Sequence, residues 1–216
     1  MDTTPRSGCP INAAVEVLGD PWAMLVLRDI MFGNRRHFRE LIAGSEEGIA
    51  TNILASRLKQ LVAAGLLTRD DARRGQRAAY SLTEAGIQVL PVMVALGNWG
   101  LAHRHGERRL RVCAELLRDG GPELVAAMMD ELRELHLGVP RPGPDAPRAS
   151  DQLRAAYEAA FLDTTSSGET VQITDRGRPV ALLTPLPQES PLDQMRSSGE
   201  IEPATASADD LPDRRS

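Results

Sequence analysis

Aromatic side chains are scarce in this 216-residue chain: two Trp, two Tyr and three Phe make up 3% of it. A sandwich of β-sheets draws heavily on aromatic and β-branched residues. A chain that is 42% hydrophobic yet so poor in rings points instead to Leu, Val, Ile, Ala and Met packed between helices. Cysteine is scarcer still. Cys9 and Cys113 are too few for a disulfide framework or a zinc site of their own, which leaves redox chemistry as their interest. No apolar run approaches the roughly 20 residues that span a bilayer, and no charged segment leads into an apolar one near Met1, so a cytoplasmic protein is expected. Gly-rich phosphate loops, nucleophile elbows and metal-ligand clusters are missing as well. His37, His103, His105 and His136 are scattered, and His103 with His105 lacks the i,i+4 spacing of helical ligands. The expectation is a protein that is not an enzyme and holds no cofactor and no metal.

What is present is a segregated charge. The net charge is -5, but Pro21 to Arg111 carries 14 Lys/Arg against 8 Asp/Glu, about +6, leaving about -11 elsewhere. A basic block in an acidic chain suits contacts to phosphates, which release counterions when neutralised; it is also what an ordinary Arg-rich surface looks like.

The stretch from Ile49 to Ser81 separates the two. Leu54, Leu58, Leu61 and Val62 recur at helical spacing, while Thr51, Asn52, Ser56, Lys59 and Gln60 fall largely on other faces. Thr51 is a plausible N-cap and Gly65 a C′ residue. Strands at Leu66 to Asp70 and Ala78 to Leu82 follow, joined by a tip with Arg73, Arg74, Gly75 and Arg77. A helix with one apolar and one hydrogen-bonding side, followed by a basic hairpin, has the layout of a DNA recognition helix and wing.

The neighbours complete the order. Asn12 can cap a helix from Ala13 to Leu18, and Asp20 before Pro21 makes an N-cap and first-turn pair for Trp22 to Met31. Phe38 to Ala43 is a short helix ended by Gly44. Thr83 caps a longer helix, Glu84 to His103, in which Pro91 demands a bend or break. Arg108 to Arg118 and Pro122 to Leu137 are further helices. The fold class is mainly α with a small β wing, a winged helix-turn-helix, plus a small C-terminal α+β hairpin segment and a tail expected to be disordered. The organisation reads as a DNA-binding domain over 1–106, a helical extension over 107–137, a Pro/Gly-rich linker over 138–150, a helix and hairpin over 151–187 and an acidic tail over 188–216.

Residues 9–104 resemble the HxlR family of bacterial transcriptional regulators, related in architecture to MarR regulators. The matching pieces are Cys9-Pro10, Gly19-Asp20-Pro21-Trp22, Leu27-Arg28-Asp29, Arg36-His37-Phe38-Arg39-Glu40-Leu41, the run Leu54 to Leu61, Ala64-Gly65-Leu66-Leu67-Thr68-Arg69, Tyr80 to Gly86 and Trp99-Gly100. In the wing, Gln76-Arg77-Ala78-Ala79 stands where the family usually has a proline and valine before the tyrosine. The resemblance implies a homodimer, joined through Ala13 to Leu18 and Glu84 to His103, that binds double-stranded DNA at an inverted-repeat operator as a repressor. Two-fold symmetry would double the few base pairs that one recognition helix reads. Thr51, Asn52, Ser56 and Lys59 are the candidates for base contacts, since Asn pairs bidentately with adenine and Lys reaches guanine acceptors. Arg36, Arg57, Arg73, Arg74 and Arg77 are candidates for phosphates or the minor groove, although Arg57 could pair with an acidic neighbour such as Glu40. The resemblance further implies that Cys9, at the start of the first helix, serves as a redox sensor. An intersubunit disulfide with Cys113 would re-angle the recognition helices, and the alternative is a Cys113 buried as a small apolar residue.

Beyond the linker, Asp151 to Leu162 is an amphipathic helix with Leu153, Tyr157, Ala160 and Phe161 as its apolar set. Thr170 to Thr174 and Val180 to Thr184 alternate as strands around Asp175-Arg176-Gly177-Arg178-Pro179. The run Gly168 to Leu186 resembles the Phd/YefM type of antitoxin. That resemblance, over 151–212, implies a toxin protein as partner, wrapped by the acidic tail; a hairpin appended for oligomerisation is the alternative.

Overall fold

Asp20 and Pro21 start the first long helix as their order requires: the Asp20 carboxylate accepts a hydrogen bond from the Ala23 amide at 2.9 Å, and Pro21 occupies the first turn. The structure, a computed structural model, describes residues 7–70, 77–166, 171–175, 178–183, 195 and 198–199. Its helices α1 (Pro10–Leu18), α2 (Pro21–Gly33), α3 (Phe38–Ala43) and α4 (Thr51–Ala63) precede the strands β1 (Leu67–Arg69) and β2 (Tyr80–Leu82). Next come α5 (Glu84–Ile87), α6 (Leu90–His103), α7 (Arg108–Asp119), α8 (Gly121–Leu137), α9 (Ala149–Ser166) and a hairpin of β3 (Val171–Asp175) and β4 (Arg178–Leu183). This is a mainly helical winged helix-turn-helix with a two-stranded antiparallel wing, paired Leu67 to Leu82 and Arg69 to Tyr80.

The core is leucine-built, as the shortage of aromatics requires. Leu27 and Ile30 of α2, Leu41 of α3, Leu54, Leu58 and Leu61 of α4, Leu67 and Leu82 of the wing, and Ile87 and Leu90 are all essentially inaccessible. Together they clamp α4 between α2 and the sheet. Two glycines shape the turn that leaves α4, one by its backbone angle and one by its missing side chain. Gly65, at φ +73, ends α4 in a Schellman arrangement, its amide donating to Val62 O and the Leu66 amide to Leu61 O. A Cβ on Gly86 would lie 2.2 Å from the Leu66 carbonyl, so only glycine lets α5 sit on that turn.

Several boundaries differ from the expectations. The first helix starts at Pro10 with Cys9 as its N-cap, three residues before Ala13, and Asn12 instead bonds Glu16 along the helix. Ala50, not Thr51, is the N-cap of α4. The regular strands shrink to three residues each; beyond β2, Ala79 accepts the Asp70 amide at 3.0 Å and forms an isolated bridge with His37. The break before Pro91 is present: α5 ends at Ile87 and α6 restarts at Leu90, with Pro91 in its first turn. One expectation needs correction. Glu84–His103 is long enough, and over an 18-residue window apolar enough at a mean hydropathy of 1.4, to cross a membrane by length and composition, although the helix is interrupted.

The stretch 138–147, linker-like in composition, folds back on α8. Arg141 donates to the carbonyls of Pro144 at 2.8 Å and Ala146 at 3.4 Å, and pairs with Glu134 at 3.4 Å. Buried Glu131 receives the amides of Ala149 and, at 3.1 Å, Ser150 at the start of α9, where the helix end favours a negative charge. Ala149 and Leu153 are buried, so α9 is seated against α7 and α8. The strands β3 and β4 pair antiparallel, Val171 to Leu183 and Asp175 to Arg178; Gly177 of the expected turn, with Thr170, Thr184 and most of the acidic tail, lies outside the described residues.

Candidate nucleic-acid interface

Helix α4 has two sides with different occupants. Leu54, Leu58 and Leu61 point into the core, whereas Thr51, Asn52, Ser56 and Lys59 are all exposed. At roughly 100° per residue Asn52, Ser56 and Lys59 fall within an arc of about 60° on the side away from the leucines, while Thr51, in the first turn, lies at the edge of the leucine face. Among the described residues, Thr51, Asn52 and Lys59 have no side-chain partner; Ser56 Oγ accepts a long bond from Arg57 at 3.5 Å. The open hydrogen-bonding groups that base edges require are therefore available.

The five candidate arginines divide. Arg57 turns back to α2, its Nε 2.7 Å from the Asp20 Oδ1 that also caps that helix. Burial alone would raise the Asp20 carboxyl, but the bonds from Arg57 and the Ala23 amide outweigh it and hold the group below its usual range. Glu40, the partner considered for Arg57, is otherwise engaged: its carboxylate accepts the amides of Arg36 and His37, both at 3.1 Å, closing a capping box on α3. Arg36 reaches under the wing, donating to Tyr80 O at 3.2 Å and to Ser81 Oγ. Arg77 is exposed. Arg73 and Arg74 lie outside the described residues.

Two cations emerge that the sequence reading did not single out. An open groove of about 430 Å³ between α4 and the wing is lined by Phe38, Ala55, Leu58, Lys59, Arg69 and Tyr80, among others. An adjoining one of about 340 Å³ adds His37, Arg39, Arg77 and Ala78. Arg39 and Arg69 are exposed and, like Lys59 and Arg77, form no ion pair among the described residues. Alternation gave no signal for Arg69: it shares the face of buried Leu67 on β1 and is exposed at the strand's far end.

Behind this surface, Arg28 of α2 holds the loop that leads into α4. It grips Glu47 at 2.6 Å and Asp29 at 2.8 Å, and Arg35 stands 3.4 Å from Asp29. The hydrogen bond from Arg28 lowers Glu47, while burial keeps Asp29 raised in spite of its arginines. The cysteines are apart in character. Cys9 is exposed at the start of α1, whereas Cys113 is half-buried with its Sγ 3.8 Å from Leu153 O, and burial pushes its thiol up.

Comparison with known proteins gives two kinds of relative. The HxlR-like helix-turn-helix family matches residues 17–108. The HTH-type transcriptional regulator Rv3095 of Mycobacterium tuberculosis is 33% identical over 144 residues, 63% of this chain and 87% of that protein. A second regulator, sll1512 of Synechocystis, is 38% identical over 93 residues, 43% of this chain and 67% of that protein. Among solved structures, the redox regulator HypR in its oxidised form aligns with a TM-score of 0.40 at 25% identity, covering 45% of this chain and 100% of that one. The antitoxin VapB46 of Mycobacterium tuberculosis is 54% identical over 63 residues, 28% of this chain, and the chain spans 62% of that antitoxin's length.

Proposed function

The chain belongs to the HxlR-like helix-turn-helix family of DNA-binding transcriptional regulators, and from that premise we propose that it acts in the cytoplasm as a homodimeric repressor on an inverted-repeat operator. The observation that carries the reading is the exposed polar arc of α4 beside a row of cations that form no ion pair among the described residues. Thr51, Asn52, Ser56 and Lys59 would read base edges, and Arg39, Arg69 and Arg77, with Arg73 and Arg74, would take phosphates or the minor groove. Arg36 and Arg57 would serve by holding the wing and α4 in place. The dimer rests on apolar surface left open on two helices: Ile11 is 75% exposed and Val15 59% on α1, and Val92, Leu96 and Trp99 are exposed on α6. Selection of bound duplexes from random DNA by the full-length protein tests this. A palindromic consensus supports it, and sequence-blind retention contradicts it.

The likeness to VapB46 favours a second role, in which the C-terminal segment, residues 151–212, binds and neutralises a toxin protein while the winged helix regulates the operon. Co-purification of a small ribonuclease-like protein supports this role. Normal growth of a strain lacking only residues 151–216 argues against it. A thiol switch is centred on Cys9, whose exposure favours it; an intersubunit bond to Cys113 would first have to draw that thiol from beneath Leu153. Diamide treatment followed by non-reducing electrophoresis decides, since a cross-linked dimer that persists in Cys9→Ser rules the switch out.

A further inference from the structure

A wing of two three-residue strands is too small to hold its own position, and its outer edge shows what holds it. On the side of β2 away from β1, the Tyr80 amide donates to Arg36 O at 2.8 Å, Tyr80 O accepts from Arg36 Nε at 3.2 Å, and Ala78 O lies 3.2 Å from His37 Nδ1. These contacts come from the loop before α3. The remaining outward amide, that of fully buried Leu82, donates at 3.3 Å to Nδ1 of His136, 54 residues further along and on the last turn of α8. Three residues earlier on α8, Arg133 grips Glu84 with two parallel bonds, Nη2 to Oε1 at 2.8 Å and Nε to Oε2 at 3.0 Å. Glu84 opens α5, two residues after β2 ends. Helix α8 therefore seizes the foot of the wing at two points one turn apart, and it lies outside the 17–108 span of the family match.

We propose that α8 is a working part of the DNA-binding unit, with His136 and Arg133 as positioning residues for the wing. The inference rests on the reading that the wing faces DNA. To accept from Leu82, His136 must be neutral with its proton on Nε2, which is buried without a partner. Burial, reinforced by the charge of Arg36, pushes the ring down to about 4 and keeps it in that form. Removing the ring orphans a buried amide at the base of the strand that carries Tyr80, three residues after Arg77. Both Tyr80 and Arg77 line the groove that also holds Arg39 and Arg69. A displaced foot thus shifts the wing cations while α4, anchored by its leucines and Arg57, stays in place.

The test uses the full-length protein and the duplex it selects from random DNA, with affinity and hydroxyl-radical footprints as readouts. His136→Ala should weaken binding about 3- to 10-fold and erase protection at the phosphates flanking the α4 contacts, while discrimination among bases under α4 is unchanged. His136→Asn, which keeps an acceptor, should recover part of the loss. Arg133→Glu should weaken binding less, and adding Glu84→Arg should restore it; this pair carries the test if His136→Ala does not fold. Wild-type binding by His136→Ala alongside weakened Lys59→Ala overturns the proposal, as does a loss spread evenly over base discrimination and flanking protection. If Lys59→Ala also binds normally, the reading of the DNA-facing surface falls with it.

Discussion

Two sets of cations surround α4 and the wing, and they differ in what they touch. Arg28, Arg36 and Arg57 are engaged inside the chain, with Glu47 and Asp29, with the β2 backbone and with Asp20. Lys59, Arg39, Arg69 and Arg77 stand open along the grooves. Charge counting treats both sets alike. A guanidinium already matched to a carboxylate contributes geometry, whereas an open one can displace counterions from a phosphate backbone. The positive excess of the winged-helix region is therefore partly scaffold and partly open charge.

The sharpest contrast is between adjacent residues of α4. Leu58→Ala should cost about 2–5 kcal/mol of stability in urea unfolding and leave the salt dependence of DNA binding alone in whatever fraction folds. Lys59→Ala should leave stability nearly unchanged and cost affinity and base discrimination. A stable Leu58→Ala protein with altered salt dependence would break the division.

The next effect is on pH. An unfolded histidine titrates near 6.5, and His136 in the fold titrates near about 4. The folded value is depressed, so the unfolded chain takes up the proton first and stability falls as the pH drops from 6.5 towards 4, by roughly 3 kcal/mol at most. The part of that decline between pH 6.5 and 5, above the carboxylate range, should flatten in His136→Asn. An unchanged profile would place His136 in solvent and remove it from the wing.

Smaller still, Asp20→Ala should cost about 1–2 kcal/mol through the lost cap of α2 and should free Arg57 from its partner. Thermal unfolding reads the loss, and a salt dependence of DNA binding that becomes no weaker confirms that Arg57 belongs to the scaffold. Least of all, Arg69→Ala and Arg77→Ala should change stability by no more than about 0.5 kcal/mol, with their effect confined to DNA.

Much of the winged helix was legible because its signals are local. The leucine spacing of α4, Gly65 as its terminator, Asp20 with Pro21, and the break before Pro91 each follow from residues a few positions apart. What escaped depends on partners distant in the chain. Arg57 meets Asp20 across 37 positions because Glu40, the nearer acid, is committed to the α3 amides. Arg36 meets Ser81 across 45, and His136 meets Leu82 across 54. Spacing on one helix cannot reveal such pairs. The Pro-rich stretch before α9 was deceptive for a related reason: its composition suits a spacer, but the Arg141 bonds and the Glu131 cap fold it back onto α8.

The salt dependence of affinity for the selected duplex, wild type against Arg69→Ala, tests the central claim that the open cations beside the polar arc of α4 face the DNA backbone. A steep negative slope in log-log form is expected for the wild type, and the variant's slope should be shallower by about 1 for each protomer engaged, hence about 2 for a dimer. Equal slopes for the two proteins, or a wild-type affinity indifferent to both salt and sequence, would contradict it.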